Sequence, residues 1–120
     1  MTSVASTADA GRKHNFSWQQ TMLRIKDPKV TVPFYQEHFG FDLIHSYDFP
    51  QWNFSLYFLA ILPDGLKAPP AGTSESEDFL WDLPKGIVTL ELTHNHGSEN
   101  DDTFKVNNGN VEPNRGFGHI

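Results

Sequence analysis

Residues 87–94, Ile-Val-Thr-Leu-Glu-Leu-Thr-His, constrain this chain more than any other run. On a pleated strand Ile87, Thr89, Glu91 and Thr93 share one face, and Leu90, Leu92 and His94 share the other. Glu91 therefore sits between two leucines in a segment otherwise built for burial. A carboxylate in that setting has to be paired, metal-bound or shifted in pKa, because an isolated buried charge is costly. The plainer reading is a solvated glutamate on an edge strand, so Glu91 has to be judged by its company. Asn95 continues its face, which puts the two along one cavity with the leucines packed beneath.

Other segments supply what such a strand packs against. Residues 20–25 read as a first strand closed by the turn residues Asp27-Pro28. Thr31 is the expected N-cap of a helix over 32–39, with Pro33 in its first turn and Gly40 at the left-handed C-terminal position. Val32, Tyr35 and Phe39 give that helix one buried stripe, so it needs a sheet to lie on. Residues 41–47 and 52–61 are further strands. The stretch 63–80, rich in Pro, Gly, Ser and Glu, reads as a long exposed loop.

Beyond His94 the chain is polar up to Asn114, with Asn107-Asn108-Gly109-Asn110 as a turn, and apolar character resumes at 116–120. The order is β-α-β-β-β, a linker, and the opening of another strand, which is an α+β arrangement. It divides into a disordered tail (1–17), a module (18–96), a polar linker (97–114) and the start of a truncated second module (115–120). An apolar strand start left open at Ile120 implies that the natural protein continues.

Composition narrows the function. Ten Phe, three Trp and three Tyr in 120 residues mark a globular chain. Nine basic against fifteen acidic residues give −6, which argues against a nucleic-acid or anionic-membrane surface. An anionic ligand then needs a local basic pocket, for which Arg24 and Arg115 are the candidates; the plainer reading of each is a surface ion pair. There is no cysteine, so disulfides and thiolate chemistry are out and a cytoplasmic location is expected. The first eleven residues have no apolar core of a secretory signal, and the longest apolar run, 54–62, is too short to span a bilayer.

Among the six histidines, His119 follows Gly118 in an apolar context, although a lone histidine is more often structural than a ligand. His94 and His96 are two apart, the spacing at which strand residues point the same way and chelate a metal. Against that, Asn95-His96-Gly97-Ser98 looks like a strand end. His14, His38 and His45 have no partner at ligand spacing.

Four runs then occur in order: Gln19-Gln20-Thr21-Met22-Leu23-Arg24, Phe54-Ser55-Leu56-Tyr57-Phe58-Leu59, Leu90-Glu91-Leu92-Thr93-His94-Asn95 and Arg115-Gly116-Phe117-Gly118-His119-Ile120. Lys26-Asp27-Pro28-Lys29 and Asp48-Phe49-Pro50 join them. Together they closely resemble the glyoxalase I (lactoylglutathione lyase) family of the eukaryotic zinc-dependent type. The resemblance covers about Trp18 to Ile120. It departs at His96, where the family usually has Trp, and at Pro33, which replaces a helix former.

The resemblance implies the vicinal-oxygen-chelate fold, in which βαβββ modules pair into a cupped sheet around a metal. It implies Gln20, Glu91 and His119 as metal ligands, with the last ligand and principal base, a glutamate, beyond Ile120. It implies zinc rather than nickel, since nickel-type members usually have His where Gln20 stands. The implied substrate is the hemithioacetal of methylglyoxal and glutathione. The implied reaction is its isomerisation to S-D-lactoylglutathione by a metal-stabilised enediolate proton shift, in a homodimer with sites at its interface. Glu91 is the implied base on one face, Arg24, Asn95 and Arg115 hold the glutathione carboxylates, and Phe49, Leu56 and Phe58 line the pocket around the sulfur substituent. Two other readings stand beside it. One is a non-catalytic protein of the same fold that binds a metal or a glutathione conjugate. The other is a small β-protein with His94, His96 and His119 as a metal triad.

Overall fold

The computed structural model describes residues 12–118 and 120. In chain order it has β1 (Gln20–Ile25), α1 (Pro28–Phe39), β2 (Asp42–Phe49), β3 (Phe54–Ala60), α2 (Ser74–Trp81) and β4 (Thr89–Asn95). One four-stranded sheet runs β1-β4-β3-β2, with β1 parallel to β4 and the other pairs antiparallel. The helix α1 carries the chain from one sheet edge to the other. The β2-β3-β4 meander then returns β4 to the side of β1, so the strand bearing Glu91 is an inner one.

The expected helix is present but opens four residues earlier. Asp27, not Thr31, is its N-cap: the Asp27 carboxylate accepts from the Lys29 N–H at 2.9 Å, and Pro28 takes the first helical position. Thr31 donates its N–H to the Asp27 carbonyl at 3.0 Å and so lies inside the helix. Pro33 consequently falls in the second turn, where it removes a hydrogen bond to the Lys29 carbonyl. Gly40 closes the helix at φ 72°, and its N–H returns to the Gln36 carbonyl.

The reading of 63–80 as exposed loop misses α2. Thr73 and Ser76 form a reciprocal cap, the Thr73 hydroxyl accepting from the Ser76 N–H and the Ser76 hydroxyl from the Thr73 N–H, both at 3.1 Å. Leu80 is 1% exposed, so burial of that side chain anchors the short helix. Residues 116–118 and 120 show no strand pairing, and His119 lies outside the described residues. In the polar segment before them the chain folds back, with the Gly116 N–H donating to the Gly109 carbonyl at 3.1 Å. A side chain at Gly109 would strike the Phe117 carbonyl.

Each face of the sheet has its own core. Ile25, Val32, Leu59 and Leu92 pack under α1 together with Tyr35, Tyr57 and Leu90. On the other face Ile44, Phe58, Ala60 and Leu80 pack under α2. A bulge in β2 between Leu43 and His45 makes this second cluster possible. It places Ile44 and His45 together opposite Phe58, so two successive buried side chains meet α2 where a regular strand offers one.

Candidate metal and substrate site

The strand register sorts the expected site residues. Thr89, Glu91, Thr93 and Asn95 of β4 share the α2 side of the sheet. Gln20 lies opposite Thr89, Met22 opposite Glu91 and Arg24 opposite Thr93 on β1. On β3, Phe58 lies opposite Glu91, Leu56 opposite Thr93 and Phe54 opposite Asn95. Tyr47 and Phe49 of β2 extend the last two rows. Alternation alone therefore brings Gln20, Arg24, Glu91, Asn95, Phe49, Leu56 and Phe58 onto one face, with Gln20 diagonal to Glu91 across the β1/β4 pair.

The two halves of that face differ. Over β2 and β3 it is covered by α2, and Phe58 is 2% exposed, so it acts as the floor of the site rather than its open wall. Leu56 and Phe49 are half-buried. Phe49 stacks on Tyr47 and meets Trp52 and Phe54 at ring separations of 5.7, 5.5 and 5.0 Å. Over β1 the face is open, with Met22 and Arg24 exposed.

Glu91 stands at the boundary. Burial pushes its carboxyl above the ordinary glutamate range, and its side chain has no protein partner among the described residues. The same is true of the Gln20 side chain. An under-solvated carboxylate and an amide oxygen on adjacent strands are a donor set that a hard or borderline cation would complete. They fit a metal as two of its ligands. Among the described residues no three His, Cys, Asp or Glu side chains converge.

Arg115 is not brought to this face. Its Nε pairs with a Glu112 carboxylate oxygen at 3.1 Å in the exposed segment after β4. Structure adds two residues that sequence reasoning missed, Tyr47 and Trp81. The Trp81 indole N–H donates to the Tyr47 hydroxyl at 3.0 Å, and its ring stands edge-on to Phe58 at 5.8 Å. The signal for Trp81 was the cap pattern at Thr73 and Ser76, which marks a helix start inside the loop.

The histidine pair at the end of β4 has a different role. His94 Nε2 meets a Glu99 carboxylate oxygen at 2.7 Å, on the α1 side of the sheet. His96 Nε2 meets the Ser55 hydroxyl at 2.7 Å and an Asp48 oxygen at 3.3 Å. Each imidazole thus has its own acceptors, which leaves no shared position for a chelated ion. Nor is Ser55-His96-Asp48 a nucleophilic triad. Ser55 donates to Asp48 at 2.9 Å, and serine and aspartate crowd the same ring nitrogen instead of engaging opposite ones. The cluster ties together the ends of β2, β3 and β4.

The Glyoxalase/Bleomycin resistance protein/Dioxygenase superfamily matches residues 17–120. Glyoxalase I of Saccharomyces cerevisiae is 49% identical over 100 residues, which are 83% of this chain and 28% of that protein. A lactoylglutathione lyase of Pseudomonas putida is 43% identical over 105 residues, 88% of this chain and 57% of that protein. The chain thus spans about a quarter to a little over half the length of these relatives. A solved structure from work on the trypanothione-dependent glyoxalase I of Leishmania major superimposes with a TM-score of 0.51 at 23% identity, over 77% of this chain and 50% of that one. That likeness bears on the fold.

Proposed function

Since this chain belongs to the Glyoxalase/Bleomycin resistance protein/Dioxygenase superfamily, we propose that it carries part of the active site of a lactoylglutathione lyase. The observation that supports this best is Glu91: a desolvated carboxylate without a partner among the described residues, on the same sheet face as Gln20, Arg24 and Asn95. The substrate is the hemithioacetal of methylglyoxal and glutathione, and the product is S-D-lactoylglutathione.

Gln20 and Glu91 would hold a zinc ion, with His119 as a further ligand. When bound, the metal supplies Lewis-acid stabilisation of the negative charge that develops on the substrate oxygens. On one face of the substrate, and for one of its enantiomers, Glu91 takes the proton from the carbon next to sulfur and returns it to the neighbouring carbon. Arg24 and Asn95 hold the glutathione carboxylates, and Arg115 joins them once released from Glu112. Phe49 and Leu56, over the Phe58 floor, keep water from the sulfur substituent. The full-length protein works in the cytoplasm as a homodimer with sites at its interface.

A second reading rests on the donor count. Among the described residues the register puts Gln20 and Glu91 diagonally on one face, and no three His, Cys, Asp or Glu side chains converge. The chain would then bind zinc or a glutathione conjugate without turnover. Calorimetric titration of zinc into wild type, Gln20→Ala and Glu91→Gln, with a parallel assay for the lactoylglutathione thioester, separates the cases. Wild type is expected to bind zinc, and Glu91→Gln to lose at least about tenfold in affinity. Zinc binding without thioester selects the second reading. Equal zinc affinity in wild type and Glu91→Gln overturns both.

A further inference from the structure

His45 is the most deeply buried titratable side chain on the α2 side of the sheet, 3% exposed at the β2 bulge. Its Nδ1 lies 2.5 Å from the hydroxyl of Ser76, which is fully buried. Ser76 is also half of the cap that starts α2, and its hydroxyl lies 2.9 Å from the Thr73 carbonyl. The Ser76 hydroxyl donates to that carbonyl, which leaves its oxygen to accept from His45 Nδ1.

When His45 is neutral with its proton on Nδ1, it donates to Ser76 and ties α2 to the sheet. Protonation leaves that bond in place and adds a proton at Nε2, so what it changes is the charge on the ring. A full charge then sits almost fully buried, opposite Phe58 and with the half-exposed Glu77 as its acidic neighbour.

We propose that His45 is a pH-dependent latch holding α2 against the sheet: neutral it fastens the helix, and protonated it loosens it.

The groups facing the ring are few. From α2, Glu77 lies 3.9 Å from Nε2 and is half exposed. From β2, the Tyr47 ring stands edge-on at 4.3 Å, and Asp48 lines the same 280 Å³ cleft. From β3 the neighbour is Phe58, which is apolar. Burial lowers the imidazole below its ordinary value and outweighs the attraction of Glu77, which acts the other way. A lowered histidine contributes stability that is present above the ordinary value of 6.5 and is lost as pH falls from there toward the folded value.

The consequence reaches the candidate site, because α2 carries Leu80 and Trp81 over Phe58, the floor beside Glu91. Loosening α2 opens that floor to water.

The test is amide hydrogen exchange of the whole chain by NMR, corrected for intrinsic rates, as pH is lowered from neutral to mildly acidic. Wild type is expected to lose at least about tenfold in protection over α2 while Leu92 in β4 keeps its own. In His45→Gln, which has an amide in place of the imidazole, α2 protection is expected not to vary with pH. The His45 imidazole titrated directly in wild type should have a midpoint below 6.5. Three results would each overturn the latch: a midpoint at or above that value, loss of α2 and β4 protection in step, or the same pH dependence in His45→Gln.

Discussion

Glu91 is displaced from its ordinary protonation equilibrium by burial alone, and that fixes what its removal should do. A carboxyl whose folded pKa exceeds its unfolded value of 4.5 favours folding at low pH, and that contribution is lost as pH rises through the folded value. At neutral pH the charged form is therefore a liability to the metal-free chain. Glu91→Gln keeps the shape and removes the charge. Its thermal midpoint without metal is expected to exceed wild type by a few degrees at neutral pH, the gap closing toward about pH 4. Differential scanning calorimetry at the two pH values measures this. A variant less stable than wild type at neutral pH would mean that Glu91 has a favourable partner in the folded chain. Much at this scale was legible in the sequence, because two-residue alternation suffices to put Glu91, Thr93 and Asn95 on one face. His45 was not legible: its partner Ser76 is 31 residues away, and no local spacing encodes that bond.

Among the elements, the four strands and α1 follow from runs whose period is plain, and α2 does not. Its eight residues include Ser, Glu and Asp at five positions, so composition reads as loop. What makes it a helix is the Thr73/Ser76 cap and the burial of Leu80 in a seat built by Ile44, Phe58 and Ala60. The first is a local signal; the second exists only once the sheet has formed. Each can be tested separately. Thr73→Ala removes the cap and is expected to cost about 1 kcal/mol. Leu80→Ala leaves a cavity and is expected to cost about 3 kcal/mol. Urea unfolding measures both, and near-equal losses would show that α2 is not anchored by its apolar side. The start of α1 was misplaced for a related reason. Thr31 and Asp27 both cap well in isolation, but Asp27 precedes Pro28, which already has the first-turn backbone angle.

For the whole molecule, the decisive asymmetry is that α2 covers only the β2/β3 half of its sheet face. On the other half β1 is an edge strand with Met22 40% and Leu23 37% exposed, one on each face, beside an open row of ladder groups. Trp18, Ile61 and Val88 add exposed apolar surface on the strand-flanking segments. An uncovered edge with apolar side chains favours pairing with another chain. The net charge of −6 opposes it, since identical chains repel. The two effects respond oppositely to salt: screening weakens the repulsion and leaves apolar burial intact. Sedimentation equilibrium is therefore expected to show a mass above 13.6 kDa that rises with protein concentration, and rises further when salt is added. Met22→Lys puts a charge on the open face opposite Glu91 and should restore the single-chain mass without disturbing α2, which lies over the other half. Association that weakens with salt would place the contact on charged side chains away from β1. A wild-type chain that stays at single-chain mass throughout would mean the open half of the sheet is not adhesive.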